Sequence, residues 1–258
     1  MRYCWTRRLH SLIPGCILVA TVVLVVDIVT VRLPAQSIGR GGMVATSHAL
    51  ASEAGLQLLQ RGGNAFDAAI AAGAVLAVVN PFMAGMGGVG GYALIYDAKT
   101  GKTEALDFIG TAPKAATLEH FQGDKLWDFS KRATDGYSAP LVPGIVAGWA
   151  ALHKRGASKS WAEILAPAIA YAEKGFPVTP AVVASMTTGD MSKVRRYPYG
   201  RGLFAREGAG TVQPGDMWVQ RDLAATLKAI AAEGPDTFYK GKVAKLIASH
   251  MADCEAGP

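Results

Sequence analysis

Cysteine is scarce in this 258-residue chain, with only Cys4, Cys16 and Cys254 present. Two lie near the N-terminus and one near the C-terminus, so the stretch between them has no pair to oxidise and no disulfide framework is expected. Cys254 stands between Asp253 and Glu255, whose charges disfavour a thiolate, and reads as a surface thiol rather than a nucleophile. The five histidines (His10, His48, His120, His153, His250) show neither H-x-x-x-H spacing nor cysteine partners at ligand distance, so no metal site is expected. A G-x-S-x-G elbow and an S-x-x-K pair are also missing. That removes the nucleophile context of serine hydrolases and penicillin-recognising enzymes.

Charge is sparse as well. Charged residues are 18% of the chain against 50% apolar, which excludes disorder and predicts one main domain with a sizeable core. The net charge is +6, but Arg2, Arg7, Arg8 and Arg32 against Asp27 belong to the first 35 residues; without them 22 basic side chains face 19 acidic ones, a net +3. No basic stripe interleaved with aromatics is left, so nucleic acid is not an expected partner.

What is present begins with a leader. Arg7-Arg8 precede the uncharged run 11–26, whose apolar heart 17–26 is too short to span a bilayer comfortably, and small residues near Ala35 offer a cleavage site. Residues 1–35 therefore read as a signal peptide or a signal anchor. The anchor reading draws on Ile28, Val29 and Val31 beyond Asp27 and puts 12–33 in the membrane. Export to the periplasm or the extracellular side is expected either way, with membrane contact only through such an anchor. Cys16 precedes the apolar run instead of following it, which discounts lipidation, and Thr6-Arg7-Arg8 is a weak twin-arginine hint.

Residues 41–112 carry the strongest local signals. Gly41-Gly42 and 43–46 predict a turn and a short strand, with Ser47 as N-cap of a helix to Arg61 whose apolar face holds Leu50, Ala54, Leu58 and Leu59. Gly62-Gly63 end it, and Asn64 caps a second helix, 65–79, so rich in alanine that it can lie close against a sheet and be buried. Asn80-Pro81 stop that helix. After Gly85, Gly87, Gly88, Gly90 and Gly91 come a strand at 92–97, a turn at 99–101 and a partner strand at 102–108.

Gly85-Met86-Gly87-Gly88-Val89-Gly90 satisfies G-x-G-x-x-G, the dinucleotide fingerprint. That fingerprint works by laying a pyrophosphate on the N-terminus of a helix that follows a strand. Here a helix precedes the glycines and a strand follows them, so close backbone packing is the better reading and no nucleotide cofactor is expected.

The second half predicts helices packed on the sheet of the same domain. Ser160-Trp161-Ala162-Glu163 is a capping box for a helix to Lys174, stopped by Gly175 and kinked at Pro167. Thr179-Pro180 opens another, and 220–233 and 242–251 are two more, separated by Gly234-Pro235 and Gly241. Asp67, Asp107 and Glu163 are read as capping or solvated acids.

Residues 41–112 resemble the start of the large subunit of gamma-glutamyltransferases. Residues 138–149, SAPLVPGIVAGW, are similar to that family's P-G-x-V-A-G-[FW] segment. Gly215-Asp216 through Tyr239-Lys240-Gly241 resembles its G-D-x-x-x-Q-x-x-L-A and G-P-x-x-F-Y-x-G segments. Three blocks in the family's order cover about 41–251. The resemblance implies an α+β fold of the N-terminal-nucleophile hydrolase type, an αββα sandwich of two stacked sheets between helical layers, with 36–258 supplying its large-subunit portion. It also implies a precursor that cuts itself in two. The new N-terminal threonine of the small subunit, this chain's partner, attacks a gamma-glutamyl amide of the glutathione type with its own α-amine as base, and the acyl-enzyme passes the glutamyl group to water or an amine.

Two departures matter. The family's T-T-H-[FY]-S nucleophile block is not found: Thr187-Thr188 is followed by Gly189-Asp190, and Thr46-Ser47-His48 closes the first strand. No catalytic residue is therefore assigned, and the chain is expected to be an inactive part of a precursor roughly twice as long. In the family's D-[FY]-R-x-x-A-P segment an arginine holds the donor α-carboxylate, a task suited to a bidentate fork. Asp107-Phe108-Ile109-Gly110-Thr111-Ala112-Pro113 puts Ile109, the one substrate-binding position assigned, in its place. Either Lys114 or Arg132 reaches the pocket, or the donor is a different acyl group, as for acylase-like relatives. A non-catalytic fragment remains the competing class.

Overall fold

The computed structural model describes residues 38–114, 116–121, 133, 136, 139–187, 200, 202 and 212–255. Residues 1–35, read above as a leader, lie outside the described residues with Arg132 and Thr188, as do the side chains of His120, Thr187 and Cys254. Residues from Val44 onward form one unit. Among the described residues no helix is long and apolar enough to cross a membrane.

The elements run α1 (Ala49–Gln60), α2 (Ala65–Val79), α3 (Pro81–Ala84), β1 (Tyr92–Asp97), β2 (Lys102–Asp107), α4 (Leu118–Phe121), α5 (Ile145–Gly156), α6 (Trp161–Lys174), β3 (Phe176–Pro177), α7 (Pro180–Thr187), β4 (Met217–Trp218), α8 (Arg221–Glu233), α9 (Asp236–Tyr239) and α10 (Lys242–Glu255). The mixed α+β class is as expected. The short strand expected at 43–46 is extended chain without a ladder. The two-residue β3 and β4, which pair antiparallel, are too short to leave a period-2 signal.

Helix α2 is the centre of the core. Ile70, Ala71, Ala74, Val75, Val78 and Val79 are fully buried, and each large apolar side chain among them contributes about 1.5–3 kcal/mol. Its alanines let other helices approach closely: α1 and α6 flank it, α8 packs on α6, and α5 brings Trp149 against Gly73. The buried stripe of α1 is Ala51, Ala54, Gly55 and Leu58, with Leu50 packed against the core beside it. The chain is still extended at His48 (φ −140, ψ 130), so His48 and not Ser47 is the N-cap, its ring Nδ1 accepting from the Leu50 amide at 3.3 Å. Helix α6 continues through Pro167 with both halves of its capping box made, and ends at Gly175 with φ +84.

His48 carries a cost. Its Nε2 is buried without a hydrogen-bond partner, Phe176 stands edge-on to the ring, and burial pushes the imidazole pKa down. A depressed folded-state pKa means that its contribution is complete above the unfolded pKa of about 6.5 and is lost as pH falls below it. In His48→Asn, which keeps a capping oxygen, the urea midpoint is expected to fall less between pH 7 and pH 5 than in the parent. Equal falls would remove His48 as the cause.

Hairpin β1–β2 is antiparallel with Tyr92 opposite Asp107 and Asp97 opposite Lys102. Its inward side chains Ala93, Ile95 and Leu106 pack on the core, while Tyr92, Leu94 and Tyr96 point outward and are exposed. Arg155, in the last turn of α5, ties the hairpin down through a bidentate pair with Glu104 at 2.9 and 3.0 Å.

Candidate functional site

The segment leaving β2, Phe108-Ile109-Gly110-Thr111, is held on both sides by backbone hydrogen bonds. Phe108 donates to the Gly91 carbonyl at 3.0 Å and Gly110 donates to Val89. From the other side Val142 donates to Thr111 at 2.9 Å and Gly144 to Gly88 at 3.3 Å. Main chain is packed on main chain so tightly that side chains have no room. A Cβ on Gly144 or on Gly90, which has φ +118, would fall inside the Phe108 carbonyl oxygen, and one on Gly110 would meet that of Val142. The glycine cluster is thus the close-approach device expected of it, with a strand and not a helix after it.

This clasp gathers the three sequence blocks. The glycine loop and the Asp107–Pro113 segment come from the first, Pro143-Gly144 from the second, and Tyr239 from the third, its hydroxyl donating to the Pro143 carbonyl at 2.7 Å. Beside it lies an open cleft of about 420 Å³ lined by Pro81, Phe82, Met83, Gly85, Gly87, Gly88 and Val89. Phe82 stacks on Trp218 at 6.5 Å, which braces the cleft against β4.

Ile109 is 38% exposed on this wall. Its amide donates to Asp107 Oδ1 at 2.9 Å, so the Asp107 carboxylate caps the bend. Val89 and Val142, whose backbones bracket Gly110, are 48% and 41% exposed. The described wall around Ile109 is apolar with one carboxylate beside it. Lys114 is exposed further along the same segment.

The remaining residues singled out in the sequence fall elsewhere. Thr46 is tied locally, its hydroxyl donating to the His48 carbonyl at 2.7 Å and sharing a bond with Ser52 at 2.8 Å, and residue 187 closes α7. Glu163 completes the capping box of α6. Asp67 is the N3 acid of a second capping box, on Asn64, and it also accepts from the Ser158 amide, the Ser158 hydroxyl and the Lys159 amide. Asn64 was legible as a cap; the N-x-x-D spacing was the available signal for Asp67. Tyr239 was marked only as part of the F-Y-x-G block, and nothing local pointed to Pro143 as its partner. No group of three or more His, Cys, Asp or Glu side chains gathers among the described residues.

This geometry recurs in known proteins. The solved gamma-glutamyltranspeptidase of Helicobacter pylori matches with a TM-score of 0.78 and 38% identity over 84% of this chain and 62% of that one. The arrangement is that of an N-terminal-nucleophile hydrolase. The Gamma-glutamyltranspeptidase family profile matches residues 51–257, and the chain belongs to the gamma-glutamyltranspeptidase family. The glutathione hydrolase proenzyme of Bacillus subtilis (strain 168) is 39% identical over 218 residues, 84% of this chain and 36% of that protein. The acylase ACY 1 proenzyme of Pseudomonas sp. (strain SE83) is 39% identical over 234 residues, 88% of this chain and 41% of that protein. The chain spans about two fifths of the length of the curated relatives it matches.

Proposed function

We propose that this chain is the large-subunit portion of a self-cleaving amide hydrolase or acyltransferase acting on gamma-glutamyl amides, and that it supplies scaffold and pocket wall. The attacking hydroxyl and its α-amine base belong to an N-terminal threonine of the small subunit, whose acyl-enzyme passes to water or an amine. One observation carries this reading: the Phe108–Thr111 wall is built where all three family blocks meet, by glycines that tolerate no side chain. The outward face of β1, with Tyr92 72%, Leu94 79% and Tyr96 67% exposed, fits a surface that the small subunit covers. The leader supports export with a cleaved signal peptide or an anchor. The test is expression of the whole reading frame. Two subunits on a denaturing gel and release of the free aniline from a gamma-glutamyl anilide are expected, and one uncut band with no release would sink the reading.

A second reading concerns the donor. The Ile109 side chain cannot donate a hydrogen bond, and its surroundings of Val89, Val142 and Asp107 disfavour a carboxylate, as suits a donor without an α-carboxylate. A charge-assisted pair is worth about 1.5–3 kcal/mol. Ile109→Arg is therefore expected to raise kcat/KM for a gamma-glutamyl anilide by about tenfold or more relative to a 4-aminobutyryl anilide, which lacks the α-carboxylate. An unchanged ratio would remove Ile109 from donor selection.

A further inference from the structure

Helix α5 begins without a cap of its own. Its N-cap residue is Gly144, which has no side chain to offer, and glycine is imposed there by the Phe108 carbonyl oxygen. The first-turn amides therefore lack the local acceptor that serine or asparagine supplies elsewhere in this chain. The acceptor comes from far along the sequence: the Ala147 amide donates to the Tyr239 hydroxyl at 2.9 Å, and the same hydroxyl donates to the Pro143 carbonyl at 2.7 Å. One hydroxyl, using its hydrogen on one side and a lone pair on the other, brackets Gly144.

We propose that Tyr239 is a positioning residue for the donor wall, setting the Pro143-Gly144 turn and through it the register of Phe108–Thr111. The proposal rests on the reading of that segment as the donor wall. The route is short. Gly144, bracketed by Tyr239, donates to Gly88, and its α-carbon lies against the Phe108 carbonyl; Val142 donates to Thr111, and Gly110 to Val89. A shift of the turn therefore moves the Ile109 segment from both sides. Tyr239 itself is firmly placed. It ends α9, Phe238 stands edge-on to its ring at 5.1 Å, and Phe238 is buried. Burial pushes the phenol pKa up, with the Ala147 bond opposing, so the hydroxyl keeps its proton at neutral pH.

The test is Tyr239→Phe in the protein expressed from its whole reading frame, since the change keeps the ring and its packing. Hydrogen exchange at the Val142, Gly144, Ala147 and Gly110 amides is expected to quicken by about fivefold to tenfold, the loss of a bracketing pair of bonds. Exchange at the Ser158 and Lys159 amides, held by Asp67, is expected to stay unchanged. The donor KM is expected to rise by a similar factor with kcat within about twofold. Unaltered exchange at Gly110 and Val142, or quickening of equal size at Ser158 and Lys159, would overturn the assignment, the second because it marks general loosening. A donor KM equal to the parent's in the folded variant would overturn it as well. Should the parent itself cleave no amide, the donor-wall reading fails, and the exchange comparison still decides whether Tyr239 holds the segment.

Discussion

Gly144→Ala is expected to lower stability by about 3 kcal/mol or more, the cost of overpacking when rigid main chain and not a rotatable side chain must move. The backbone at Gly144 (φ −96, ψ −19) is one that alanine adopts readily, so the penalty is steric alone. The added Cβ would overlap the Phe108 carbonyl oxygen and lie 3.0 Å from both the Gly110 nitrogen and the Val89 oxygen. Gly87→Ala is the internal control. A Cβ there meets nothing within 4 Å, and its urea midpoint should match the parent's to within about 0.5 kcal/mol. If the two variants melted alike, the clasp would not be what holds the wall.

Asp67→Ala is expected to cost about 3 kcal/mol or more, because it strands buried donors. Asp67 is fully buried, and its carboxylate accepts from the Asn64 amide at 2.7 Å, the Ser158 hydroxyl at 2.6 Å and amide at 3.0 Å, and the Lys159 amide at 2.9 Å. Desolvation pushes its pKa up, and these four bonds to the charged form outweigh it and hold the pKa below the ordinary carboxylate range. With the folded pKa depressed, the contribution is complete above the unfolded pKa of about 3.9 and disappears as pH falls through the folded value. The stability gap between parent and Asp67→Asn, followed by urea denaturation from pH 7 down to pH 2.5, should be constant above about pH 5 and close below pH 4. A gap that does not change with pH would mean the folded carboxyl is not ionised.

Both residues show how far local sequence reaches. Helix α2 was legible to the residue because both of its ends are written within a few positions: Asn64 and Asp67 cap the start, and Asn80-Pro81 stop it. The hairpin and the capping box of α6 were legible for the same reason. The start of α1 was misplaced by one position, because Ser47 and His48 can both cap and it is the imidazole that accepts from the first turn. That α1 and α6 flank α2 was not legible, since alanine admits a helix or a sheet as neighbour.

Of the candidate site, the glycine loop and the Asp107–Pro113 segment could be marked in advance, and the order of helix, glycines and strand excluded a dinucleotide fold. Their meeting could not. The Tyr239 hydroxyl reaches Pro143 across 96 positions, and Ser158 and Lys159 reach Asp67 across 91 and 92. By itself the sequence determined the class, the ends of α2 and α6, the hairpin and the isoleucine at position 109, because propensity, capping and turn chemistry act between near neighbours. The tertiary structure alone decided that Phe108, Gly144 and Tyr239 share one clasp, because contacts that close long loops depend on how whole elements pack and leave no trace in local spacing.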